Sequence, residues 1–125
     1  MSLDECYAAI GGDLEGVRAR MPSDEMIEKF CRLFTEDSSF ESLVLAIDTG
    51  NLSEAFRAAH TLKGASGELG LTPLQEAASS LCEALRLDNS GVPVGSLCEV
   101  PAMRSRVEEA YAATMAALSE HLTAL

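Results

Sequence analysis

The sequence predicts an all-α protein, and three observations carry the prediction. Apolar residues recur at three- and four-residue steps along most of the chain. No stretch alternates as a half-buried strand would. Ala and Leu fill the apolar positions, aromatics are only 5% and Trp is absent, which favours packed helices over a β-sandwich. With 125 residues, 47% of them hydrophobic, the chain suffices for one domain with a single core and is too apolar to be disordered. Short connections between most predicted helices favour an antiparallel up-down bundle.

Each element has its own signal. Leu3, Tyr7, Ile10, Leu14 and Val17 lie at helical spacing, interrupted by Gly11-Gly12, which predicts one or two short helices over the main bundle. The chain thus divides into a short N-terminal helical segment, 1–20, and the bundle, 21–125. Ser23 before Asp24 and Glu25 is a helix start, because a hydroxyl caps free amides and acids suit the positive end of the helix dipole. Met26, Ile27, Phe30, Leu33 and Phe34 are its expected buried stripe. Ser38-Ser39-Phe40-Glu41 has a capping-box pattern and opens a helix with Phe40, Leu43, Val44 and Ile47 inward, ending at Gly50.

Asn51-Leu52-Ser53-Glu54 repeats the start signal, and this helix should run to about Leu69. Thr72-Pro73-Leu74-Gln75 reads as a further capping box, followed by the stripe Leu74, Ala77, Ala78, Leu81, Leu85. Residues 88–100, with Pro93 and then Pro101, form the long irregular connection. From Ala102 to about Thr123, Met103, Val107, Ala110, Tyr111, Thr114, Leu118 and Leu122 mark the last helix.

Charge narrows the function classes. Twenty acids against nine bases give a formal charge of −11, which opposes non-specific nucleic-acid binding and an anionic membrane surface. No run approaches the roughly 20 apolar residues of a membrane helix. Cys6, Cys31, Cys82 and Cys98 show no ligand-like spacing and the N-terminus lacks an apolar leader. A reduced, cytoplasmic protein is expected, with mostly core cysteines.

Function concentrates at Ala59-His60-Thr61-Leu62-Lys63-Gly64-Ala65-Ser66-Gly67-Glu68-Leu69-Gly70. At 100° per residue, His60 falls on the flank of a core stripe made of Leu52, Ala55, Phe56, Ala59, Leu62, Ser66 and Leu69. That border suits a phosphoryl acceptor, which must be reachable yet held. Arg57 and Lys63 lie three residues to either side on a shared face. Their charges would attract phosphate oxygens and disfavour the imidazolium, leaving the nucleophilic neutral ring. Gly64 and Gly67 each cost roughly 0.5–1 kcal/mol relative to Ala in a helix, so two of them suggest that clearance outweighs helix stability. A histidine at a stripe edge is more often structural, a lysine there usually snorkels, and glycines also permit close helix crossing. One chemical event explains all three placements together. His121 has no such company, and its place near a helix C-terminus is adequately explained by the dipole.

The stretch closely resembles the signature of histidine-containing phosphotransfer (HPt) domains, H-x-L-K-G-x-S-x-x-x-G. His60, Leu62, Lys63, Gly64, Ser66 and Gly70 occupy its positions, Ala59 is also typical, and the layout agrees over roughly residues 20–122. The resemblance implies a four-helix antiparallel bundle with extra short helices. His60 would accept phosphoryl, through Nε2, from an aspartyl phosphate on one receiver domain and pass it to another. Lys63 would neutralise phosphoryl charge and Gly64 give access, with Arg57, Ser66 and Gly67 as further binding residues. The expected partners are response-regulator receivers and a hybrid sensor histidine kinase. The expected carrier is a monomer with no autonomous kinase activity and no cofactor of its own, the Mg²⁺ coming from the receiver. Some members bring a glutamine to the histidine from the next helix; here that region offers Ser79 and Cys82, with Gln75 further away.

Rival readings fare less well. A histidine-kinase dimerisation helix usually follows its histidine with an acid and later a proline, whereas Thr61-Leu62-Lys63 follows His60. A di-iron bundle needs inward Glu-x-x-His pairs, but Arg57 and Leu118 stand three residues before the two histidines. The surviving alternative is a bundle that binds a receiver or another protein without transferring phosphate.

Overall fold

Side-chain caps set most helix starts in the computed structural model, which describes residues 2–125; Met1, the first residue of the expected N-terminal segment, lies outside them. Seven α-helices follow one another: α1 (Leu3–Ile10), α2 (Leu14–Arg20), α3 (Asp24–Thr35), α4 (Ser39–Asp48), α5 (Leu52–Glu68), α6 (Thr72–Ala84) and α7 (Val100–Thr123). Ser2, Asp13, Ser23 and Asn51 each accept a backbone amide of the first turn they precede, satisfying donors that a helix cannot pair itself. No strand forms among the described residues. The connection before α7 contains only an isolated bridge, Leu87 to Pro93, and a 3₁₀ turn, Leu97–Glu99.

The core is helix on helix. α5 packs between α4 and α6, α6 packs on α7, and α7 also receives α1 and α3. Leu43, Leu62, Leu74, Leu81, Leu85 and Leu118 are essentially inaccessible, and full burial of each contributes about 1.5–3 kcal/mol. Phe40 stacks on Tyr111 at 3.9 Å between ring centroids, tying α4 to α7. Cys6, Cys31 and Cys82 are buried, while Cys98 is exposed.

Several local expectations are corrected. In α3 only Ile27 and Phe34 of the expected stripe are buried, joined by Cys31; Met26, Phe30 and Leu33 are 38%, 40% and 51% exposed. The two sets are parallel stripes one residue apart, about 100° around the helix, and only one faces α7. In α4, Leu43 and Ala46 are buried, whereas Phe40, Val44 and Ile47 are half-buried. Ser38 makes no side-chain cap; Asp37 accepts from the Ser39 amide at 2.9 Å instead. Thr72 lies inside α6 rather than capping it, and its hydroxyl donates to the Gly70 carbonyl. His121 is 3% exposed, with Nε2 2.5 Å from Glu28 Oε2. Its position is therefore explained by a side-chain pair joining α7 to α3, not by the helix dipole alone.

Candidate functional site

α5 carries the candidate residues, and its packing decides which of them meet solvent. Ala55, Ala59, Leu62 and Ser66 form the face enclosed by α4 and α6, while His60 and Gly64 lie beyond its edge and are exposed. Neither ring nitrogen of His60 has a hydrogen-bond partner among the described residues. The directional neighbour of the imidazole is Phe56, one turn earlier, with ring centroids 6.4 Å apart and planes inclined by 21°. Beside it a Cβ built on Gly64 would meet nothing within 4 Å. The acceptor candidate is thus open on the side where an incoming group would arrive.

Lys63 is half-buried and makes no ion pair among the described residues. Helical side chains lean towards the N-terminus, so its stem covers the turn carrying Ala59 and His60. Its ammonium is also felt at Cys82 of α6: burial pushes that thiol up, and the charge of Lys63 partly offsets the rise. An unpaired cation on a flexible stem beside an exposed imidazole is suited to meet an anionic group.

The three remaining candidates are placed differently. Arg57 is held by Glu54 through Nη2–Oε1 and Nη2–Oε2 contacts of 2.7 Å, and these bonds strengthen its hold on its proton. Its charge is therefore shared with an acid and does not stand free beside His60. Ser66 is wholly buried and its hydroxyl donates to the Leu62 carbonyl at 2.7 Å, so it cannot reach a ligand at the surface. Small size and a self-satisfied hydroxyl suit it to the interior instead. A Cβ on Gly67 would lie 2.7 Å from Gln75 Nε2, so α6 uses that clearance. Gln75 covers Gly67, seven residues and about 10 Å along the helix from His60.

The signature's last glycine serves backbone geometry. Gly70 adopts φ +62°, and a Cβ there would lie 2.6 Å from the Asp13 carbonyl oxygen and 2.7 Å from Val17. The N-terminal segment closes on this point. The Asp13 amide donates to Gly70 O at 2.8 Å, Tyr7 Oη to Leu69 O at 2.7 Å, and Arg20 Nη2 to Glu68 O at 2.8 Å. Carbonyls left over at the end of α5 thereby find donors. Burial pushes the Tyr7 phenol well above its ordinary range, so it stays a donor.

Sequence reasoning missed three features. Phe56 was assigned only to the core stripe, although its spacing of four from His60 is the available signal. Tyr7 and Arg20 gave no signal, because their acceptors are backbone carbonyls about 50 to 60 residues away in sequence. Exposed Phe30 and Leu33 line a hollow of about 240 Å³ with Met21, Ala65 and Leu69, between α3 and α5. Its rim carries the acids Asp37 and Glu68. Among the described residues no group of three His, Cys, Asp or Glu side chains is placed to hold a metal ion, and no helix is long and apolar enough to cross a membrane.

The model of one family, the Hpt domain, matches residues 25–124. Comparison with curated proteins and with solved structures gave no match.

Proposed function

Because this chain belongs to the Hpt domain family, we propose that it is a phosphoryl carrier of a multistep two-component phosphorelay, loaded on His60 by a receiver-domain aspartyl phosphate and unloaded onto another receiver. Histidine phosphotransfer in phosphorelays is the general role of the family. The observation that carries the assignment to His60 is its exposed imidazole, with both nitrogens unpartnered among the described residues and open space over Gly64.

The step needs little from this chain beyond placement. The lone pair of neutral Nε2 attacks phosphorus, the acyl phosphate P–O bond breaks, and the donor carboxylate leaves with the electron pair. The ring keeps its Nδ1 proton throughout, so no general base has to stand beside it. Lys63 meets the phosphoryl oxygens as charge moves from donor to acceptor, which stabilises the transfer and not merely encounter. Gly64 lets the donor's backbone come close enough for in-line approach. Arg57 remains at the edge of the site, tied to Glu54. The reading leaves Mg²⁺ with the receiver and gives this chain no kinase activity of its own. It makes the chain a cytoplasmic monomer whose partners are receivers and a hybrid sensor kinase.

The test is transfer from a phosphorylated receiver to the purified protein, wild type beside His60→Gln. Acid-labile, alkali-stable label on the wild type alone is expected. A folded wild type that takes no label from active donors, or a His60→Gln protein that takes as much, would sink the assignment in favour of a non-transferring interaction bundle.

A further inference from the structure

Resting on the reading of His60 as phosphoryl acceptor, we infer that Phe56 is a positioning residue that sets the plane of the imidazole for attack. An exposed histidine on a helix ordinarily exchanges rotamers on the picosecond-to-nanosecond scale. Reactive histidines are commonly fixed by a hydrogen bond from the second ring nitrogen. His60 has no such bond among the described residues. What it has is the Phe56 ring, 6.4 Å away and inclined by 21°, within the range of offset aromatic pairs.

The helix itself brings the two rings together. A helical side chain leans back over the turn before it, so the imidazole lies over residues 56 and 57. Arg57 is drawn off by Glu54. Phe56 is half-buried and packed against the core, so it is the fixed member of the pair. An offset, near-parallel ring on one side restricts rotation while leaving both nitrogens free. That differs from a hydrogen bond, which would occupy one nitrogen and bias the tautomer. The device orients the nucleophile without consuming a nitrogen. It also leaves the face towards Gly64 open, where the phosphoryl group would arrive.

The experiment compares wild type, Phe56→Leu, Phe56→Tyr and His60→Gln in rapid-quench transfer from a phosphorylated receiver across receiver concentrations. Leu keeps apolar volume but removes the flat ring; Tyr keeps the ring. Phe56→Leu is expected to lower the saturating transfer rate roughly three- to tenfold with the half-saturating concentration unchanged, and Phe56→Tyr to restore it. Proton NMR of the folded proteins supplies an independent readout: ring-current displacement of the His60 resonances in wild type and Phe56→Tyr, lost in Phe56→Leu. Wild-type rates in Phe56→Leu, an equal loss in Phe56→Tyr, a loss confined to half-saturation, or no ring-current displacement in wild type would each overturn the inference while leaving His60 as acceptor. A wild type that takes no label at all would overturn the acceptor reading, and the inference with it.

Discussion

The two halves of α5 are built for opposite purposes, although one short motif spans both. Around His60 and Gly64 the helix meets open space: among the described residues the imidazole nitrogens have no partners, and a methyl group at Gly64 would meet nothing within 4 Å. From Ser66 to Gly70 the clearance left by the small residues is taken up by the protein itself. Ser66 bonds to its own helix, Gln75 occupies the space over Gly67, and the N-terminal segment donates four hydrogen bonds to carbonyls at the helix end. Glycine does different work in each half. At Gly64 its missing side chain borders open space, at Gly67 it leaves room for Gln75 of the neighbouring helix, and at Gly70 for a left-handed backbone pressed against Asp13. The contrast teaches that a site needing access is steadied from beyond its own surface, here by the clasp one or two turns along.

The sharpest way to break this contrast is to fill the open half. Gly64→Leu should reduce receiver-to-protein transfer by about 100-fold through misplaced approach. Its thermal midpoint should stay at or above wild type, since Leu is the better helix former and its Cβ meets nothing within 4 Å. Transfer assays beside thermal unfolding would show it, and a stability loss with normal transfer would erase the distinction.

The opposite result is expected at the closed end. Gly70→Ala forces a Cβ into the Asp13 carbonyl at a positive φ and should cost about 2–4 kcal/mol in urea unfolding, with normal transfer per folded molecule. Tyr7→Phe should cost less, about 1–2 kcal/mol, because it strands the buried Leu69 carbonyl without creating a clash. Amide exchange near Gly70 should accelerate in this variant while that near His60 does not.

Acid gives the smallest effect. Arg18 bridges Asp4 of α1 and Asp24 of α3 at 2.9 and 2.8 Å, and its hydrogen bonds hold both carboxyls below their ordinary value of 3.8. A depressed carboxyl contributes stability above its unfolded pKa and loses it as pH falls through the folded one. The clasp should therefore loosen slightly below pH 3.8. Arg18→Gln should flatten that acid-side slope in pH-dependent unfolding. Both acids are solvent-exposed, so the change is small.

Much of this was legible because it is local. Helical periodicity and caps at Ser23 and Asn51 predicted elements whose ends the structure reproduces within a residue or two. Where a local rule had a rival, it failed: Ser38 yielded its capping place to Asp37, and Thr72 entered the helix whose N1 and N2 positions it shares with Pro73. The stripe on α3 was read too wide, because five apolar residues cannot reveal that only one side of the helix has a neighbour.

By itself the sequence determined the helical class, the order of the helices and the place of His60 at the edge of a buried stripe. Each follows from spacing along one chain, where residues three or four apart must share a face. Only the tertiary structure decided which motif residues stay free. Ser66, Gly67 and Gly70 are spent inside the protein, and Arg57 is tied to Glu54, while Gly64 and Lys63 remain available beside His60. The physical reason is that availability depends on what packs against a residue. The neighbours that settle it, Gln75, Asp13, Tyr7 and Arg20, reach α5 from other helices and from carbonyl contacts that leave no pattern in the chain.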